Sequence, residues 1–292
     1  MSRPELRLAR CASCAFCVAV LVIIACPAFA HGDLHGQIVE MDRQIAAQPT
    51  NTALLLRRAE LHRIHREFVA ADSDFAAVLA LDSKHPDALW MRARGMLEAG
   101  NPGAALPELD RYLAQNPDHA TARLTRARTL AALGRYPQAA ADFTLALERL
   151  PEPTPDHYLE LVNAQRSAGA SAAAQLASIG KGISRLGSVP SLEDLGSQIE
   201  LRAKMWDAAL FRIDKQSTLA ARKERFQYRR GQILAQAGRR EEAVAELRES
   251  LLTIDALPTA QRTQRATVQL TEQVQLELRK LGDEQEIGTT RP

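Results

Sequence analysis

The chain has 292 residues, 46% hydrophobic, 25% charged and 4% aromatic, with 15 glycines and a formal net charge of +2. That composition suits a soluble globular protein of one or two domains and excludes a collagen-like or Gly-rich disordered chain. So few aromatics argue against a β-sandwich or barrel, because strands lean on aromatic and β-branched side chains, and the small charge argues against nucleic acid as a partner.

Residues 1–30 have the order of a secretory signal peptide. Arg3, Arg7 and Arg10 precede an uncharged apolar run from Cys11 to about Ala25, and Ala28-Phe29-Ala30 offers a small-x-small cleavage site. Cleavage after Ala30, and a periplasmic or secreted mature chain, are the expectation. Two alternatives stay open. Ile23-Ile24-Ala25-Cys26 resembles a bacterial lipobox, which would make Cys26 a lipidated N-terminus at the membrane. Residues 11–30 are also long enough for an anchor, since about 20 residues span a bilayer. Pro27 and the small-residue site count against both. Taking three arginines and one glutamate from 37 basic and 35 acidic residues leaves 34 of each, a neutral chain. All four cysteines (Cys11, Cys14, Cys17, Cys26) also lie in this segment. The remainder therefore forms no disulfide, thiolate metal site or cysteine nucleophile, and suits an oxidising compartment.

Residues 31–50 predict a capping helix, with Leu34, Ile38, Met41 and Ile45 at helical spacing and Asp33 as N-cap. From 51 to 257 a period of 34 takes over. Ala71, Ala105 and Ala139 recur at that interval, each followed four residues on by Phe75, Leu109 or Phe143. Ala59, Ala93 and Ala127 keep the same period upstream. Gly100 and Gly134 mark a turn between the two halves of a unit, and Pro117 and Pro151 close two units. From Ala139 to Ala209 is 70 residues, so two extra residues lie between, and Ala243 with Leu247 resumes the pattern. Small residues let helix backbones approach, bulky ones fill the groove beside them, and proline ends the second helix. Gly180 to Pro190 predicts looser packing, with Gly180-Lys181-Gly182-Ile183-Ser184 a flexible connection rather than a phosphate loop. Residues 258–282 predict a second capping helix on Val268, Val274, Leu278 and Leu281, and 283–292 a polar, disordered tail.

The Ala-x-x-x-bulky pairs, the alanines before them and the closing prolines resemble the tetratricopeptide repeat family, best at Ala127, Leu130, Gly134, Tyr136, Ala139, Phe143, Ala146 and Pro151. The resemblance implies an all-α, right-handed superhelical solenoid of about six helical hairpins with a capping helix at each end. It also implies a non-enzymatic scaffold whose first helices line a concave groove for a protein or peptide segment.

On those helices Leu56/Glu60, Trp90/Arg94, Leu124/Arg128, Tyr158/Val162 and Tyr228/Gln232 each share a face. Trp90, Leu124 and Tyr158, 34 apart, are expected to form one stripe flanked by Arg94 and Arg128, and aromatics beside arginine are typical binding anchors. The Lys and Asn set of the family's carboxylate clamp is not found. Arg58, Arg92, Arg126 and Arg230 each precede an acid by sixteen residues (Asp74, Glu108, Asp142, Glu246), which predicts repeated ion pairs rather than a ligand-binding ladder. Glu160 and Gly196 are expected at the arginine position in the two intervening units. An alternative function is copper handling: cleavage after Ala30 exposes the amine and imidazole of His31, one helical turn from His35. No Gly-x-Ser-x-Gly or His-Glu-x-x-His motif points to an enzyme, and no cofactor is implied. A third possibility is an accessory subunit of a periplasmic enzyme.

Overall fold

The computed structural model describes residues 34–218 and 220–282, and every regular element among them is a helix. The segment expected to be a signal peptide, with Cys26, the His31 and Asp33 positions, and residues 283–292 lie outside the described residues. Helix α1 (Leu34–Ala47) is followed by six hairpins. These are α2 (Thr52–Ile64) with α3 (Phe68–Leu81), α4 (Ala88–Glu98) with α5 (Pro102–Gln115), and α6 (Ala120–Ala132) with α7 (Tyr136–Arg149). Then come α8 (Pro155–Ser167) with α9 (Ala172–Leu186), α10 (Pro190–Arg202) with α11 (Trp206–Thr218), and α12 (Glu224–Gln236) with α13 (Arg240–Asp255). A short α14 (Thr259–Arg262) and a long α15 (Arg265–Lys280) complete the series.

The chain divides into two compact units, one ending at Asp74 and the other starting at Phe75. In the first, Ile38, Met41 and Ile45 of α1 are buried, as are Leu55, Ala59 and Leu61 of α2 and Ala71 of α3. Arg58 bridges Asp42 of α1 (2.7 Å) and Asp74 of α3 (2.6 Å), and the Asp74 carboxylate raises the arginine's pKa further. In the second unit each helix packs on its neighbours in sequence, α5 on α6, α7 on α8 and so on to α13 on α15. That is the connectivity of a helical solenoid.

One device ends the first helix of every hairpin. Arg66, Gly100, Gly134, Gly169, Lys204 and Gly238 adopt positive φ, between 56° and 81°. The next amide reaches back to close the turn, as in Asn101 N to Met96 O (2.9 Å) and Arg135 N to Leu130 O (2.8 Å). This is the glycine-favouring C-terminal motif, with Arg66 and Lys204 as its non-glycine members.

These residues also act as registration marks. The interval is 34 twice, then 35 twice, then 34. One extra residue lies in the 150–154 linker, where 116–119 serves the preceding junction, and the other in 168–171, where 133–135 serves the preceding turn. The register of hairpin four therefore differs by one from a constant count of 34. Val162, not Leu161, takes the place of Ala127, and Leu161, not Glu160, takes the place of Arg126.

With the marks aligned, Ala93, Ala127, Val162, Ser197 and Gly231 hold one buried position on the first helices. Leu109, Phe143, Ile179, Ile213 and Leu247 hold the filling position on the second, each at most 2% exposed. A Cβ on Gly231 would stand 2.7 Å from Leu247 Cγ, so glycine is needed for that crossing.

Two expectations are corrected. Gly180 and Gly182 lie inside α9, not in a connection, and the linker is only 187–189. The reason is close approach: a Cβ on Gly182 would lie 2.9 Å from the Tyr158 ring and 3.0 Å from Leu192. On α15 the buried face is Thr267, Leu270, Val274 and Leu278, while Val268 is 44% exposed. The true stripe steps by three and four residues, which leaves Val268 one position off it.

Candidate functional site

Most of the charge on these helices is used between helices. Arg126 on α6 pairs with Asp142 on α7 (2.6 Å) and with Asp110 on α5 (3.0 Å), so one guanidinium joins two hairpins. Its pKa is raised, first by the hydrogen bond it donates to Asp142. Arg230 does the same with Glu246 (2.8 Å) and Asp214 (2.9 Å). The expected pairs Arg58–Asp74, Arg126–Asp142 and Arg230–Glu246 are thus formed. Glu108 meets Arg111 of its own helix at 3.4 Å.

Hairpins four and five depart from this scheme. In four, the arginine and acid positions hold Leu161 and Ser178, and the Ser178 hydroxyl accepts from Gln165 Nε2 (2.9 Å). In five the polarity reverses. Arg212, at the acid position of α11, pairs with Glu193 (2.7 Å) and Glu200 (2.8 Å) of α10. Gly196 stands at the arginine position, where a Cβ would be 2.7 Å from the Arg212 guanidinium carbon.

The anchor residues divide into two groups. Trp90 is half-buried on α4, and the Arg94 guanidinium lies over its ring at 5.3 Å from the centroid. The indole donates to Asp87 Oδ1 (3.0 Å), and His119 at the start of α6 stands 5.3 Å from both Trp90 and Tyr112. Arg128, one repeat on, pairs with Glu160 of α8 at 2.9 Å, with both side chains about a third or more exposed. By contrast Leu124 is buried at 4% and belongs to the core of hairpins three and four. Tyr158 is also 4% exposed and packs against α9. Its displacement from the stripe follows from the extra residue in 150–154. The residue aligned with Trp90 and Leu124 is Leu159, which is half-buried, and the one aligned with Arg94 and Arg128 is Asn163, which is exposed.

Sequence reasoning missed His119, Asp87 and Glu160 as neighbours of these anchors. His119 follows His85 by 34 residues, so the period carried a signal for it. His119 Nδ1 accepts from Ala122 N (3.0 Å) and so caps α6.

His35 is exposed on α1, and its proposed copper partner His31 lies outside the described residues. Among the described residues there is no group of three or more His, Cys, Asp or Glu arranged to hold a metal, and no helix long and apolar enough to cross a membrane. His62 and His65 both contact Glu67, at 2.6 and 2.8 Å, which accounts for that pair locally.

Comparison with known proteins agrees with this geometry. Residues 91–157, the stretch that contains Arg94, Leu124 and Arg128, match the tetratricopeptide repeat family model. No curated protein matches the sequence. Among solved structures the chain is similar to a tetratricopeptide repeat protein from Parabacteroides merdae ATCC 43184, at 19% identity and TM-score 0.50, over 84% of this chain and 93% of that one. It is similar to PilW, a widely conserved type IV pilus biogenesis factor, at 19% identity and TM-score 0.54, over 65% and 88%. It is also similar to a chain of Naa15/Naa10 bound to HypK-THB, at 14% identity and TM-score 0.56, over 78% of this chain and 34% of that one. At these identities the likeness is one of fold. Residues 91–157 match tetratricopeptide repeats, and the described residues around them form consecutive helical hairpins.

Proposed function

We propose that the protein is an exported, non-enzymatic scaffold that holds a segment of a partner protein along the first helices of hairpins two to four. The observation that carries the reading is the cluster of Trp90, Arg94 and His119. A large aromatic is held by its indole donor and by a guanidinium over its face, yet keeps part of its surface open to solvent. A pre-organised aromatic–arginine pair supplies contact area at little ordering cost, the profile of a binding anchor. Arg128 and Glu160 extend the surface with charges that a polar segment can meet, and Leu159 adds an apolar contact. Relatives of the same fold include a pilus biogenesis factor and a complex with a bound protein, HypK-THB, in keeping with a role in protein interaction. The basic start, apolar run and Ala28-Phe29-Ala30 site support export.

Cross-linking capture from a cell-envelope extract, with Trp90→Ala and Arg94→Ala as comparison baits, tests the site. Each variant is expected to keep the helical circular dichroism of the parent and to lose the captured partner. Undiminished capture by both removes the site. The intact mass of the purified exported chain tests the address: a mass starting at His31 supports cleavage after Ala30, and one starting at a lipidated Cys26 replaces it.

A further inference from the structure

Hairpins three and six each fill the space between consecutive second helices with an ion triad, and the pocket beside each triad is lined by those same charged groups. Their charges are already compensated within the chain. In hairpin four the three triad positions are Leu161, Ser178 and Thr144, and all three line the corresponding pocket, of about 280 Å³, between α7, α8 and α9. The triad is absent there and its replacement is neutral. Leu147 and Leu161 give the pocket an apolar lining.

Tyr158 supplies a second observation. Gly182 gives it room to lie between α8 and α9, and it is 4% exposed. Its hydroxyl makes no hydrogen bond among the described residues, and the residue lines this pocket. At the rim are Lys181, Arg185 and Glu148, two cations against one carboxylate. Arg185 is held by the backbone carbonyls of Leu147 (2.6 Å), Leu150 and Pro151. Lys181 makes no ion pair or hydrogen bond among the described residues.

We propose that this pocket binds a small apolar carboxylic acid, with a ring or branched alkyl body on Leu147 and Leu161 and its carboxylate among Lys181, Arg185 and the Tyr158 hydroxyl. A cavity of about 150 Å³ takes benzene, so the space admits a ring with its acid group. The site is separate from the first-helix surface proposed for a protein partner, and either assignment can fail without the other.

Fluorine NMR of the purified protein with para-fluorophenylacetate, and with para-fluorobenzylamine as its charge-reversed counterpart, tests the proposal. The acid is expected to bind with a dissociation constant of about 1 mM, and the amine at least about tenfold more weakly. Lys181→Glu, an exposed change that leaves the core intact, is expected to reverse that preference. Leu161→Arg with Ser178→Asp and Thr144→Asp rebuilds the triad of hairpin three and is expected to abolish binding of the acid. No shift of the acid with the parent protein, equal binding of acid and amine, or an acid affinity unmoved by Lys181→Glu would each overturn the assignment.

Discussion

In hairpin three the arginine is on the first helix, Arg126, between Asp142 on the second helix and Asp110 of the preceding hairpin. In hairpin five the arginine is on the second helix, Arg212, and both acids, Glu193 and Glu200, are on the first. The backbone position is the same and the charge is reversed, with Gly196 making room where hairpin three has its own arginine. Between them hairpin four has no charge at the position at all, only Leu161 and Ser178. The fold thus requires that any charge placed here be compensated; it does not require a particular residue or sign.

The strongest way to break the comparison is Arg212→Ala. It strands two carboxylates whose side chains are 7% and 5% exposed. Breaking a buried pair from one side costs roughly 3–5 kcal/mol, read as a lowered urea midpoint at neutral pH. A midpoint unchanged at pH 7 would mean that Arg212 is not what compensates the acids.

The next contrast sets equivalent positions of two hairpins side by side. Asp142→Ala removes the partner of both Arg126 and Arg123 and is expected to cost roughly 3 kcal/mol. Ser178→Ala removes two neutral hydrogen bonds, from Gln165 Nε2 (2.9 Å) and to Ala174 O (3.4 Å), and is expected to cost about 1 kcal/mol. Equal losses would show that the neutral replacement carries as much stability as the ionic one.

A third pair lies within a single helix. Gly182→Ala places a carbon 2.9 Å from the Tyr158 ring and should destabilise by about 1–3 kcal/mol. Gly180→Ala, two residues earlier and open on all sides, should stabilise by about 0.5–1 kcal/mol. Thermal midpoints moving in the same direction would refute the close-approach account of Gly182.

The smallest expected effect is on pH. Burial, then the Arg128 guanidinium, hold the His157 imidazole below its usual range, with Glu160 and Asp156 opposing. Its Nδ1 accepts from Thr154 N (3.1 Å) at the start of α8. A folded-state pKa below the unfolded value of about 6.5 means a contribution fully present above that pH and lost as the pH falls through the lower folded value. Stability measured from pH 7.5 to 5 should therefore decline by about 0.5 kcal/mol more for the parent than for His157→Gln, which keeps an acceptor without titrating. Parallel profiles would exclude His157 as a contributor.

These contrasts also mark what the linear pattern revealed. Six hairpins, their alanines and their large fillers followed from one period, because packing of identical units forces identical spacing. The terminal helix on Ile38, Met41 and Ile45 followed from helical periodicity. The placement of Tyr158 did not follow, because a constant count of 34 cannot tell in which linker an extra residue sits. Only the left-handed residues Gly134, Gly169 and Lys204 locate it. The reversed polarity of hairpin five was also hidden. Gly196 was visible in the arginine column, but Arg212 gains its meaning only from standing opposite that glycine. Trp90 and Arg94 were found at their shared face, while His119 entered from the next hairpin, across a contact that no spacing within one helix encodes.

The left-handed turn at Lys204 has a dynamic consequence. Four of the six hairpin turns use glycine, whereas Lys204 holds φ at 56° with a side chain present. That conformation costs roughly 1–2 kcal/mol for an ordinary L-residue, so the elbow of hairpin five is primed to open before its neighbours. Amide hydrogens there, beginning with Met205 N on Glu200 O, should exchange with deuterated solvent ahead of those at Gly134 and Gly238, making this bend the hinge about which local fraying of the second unit begins.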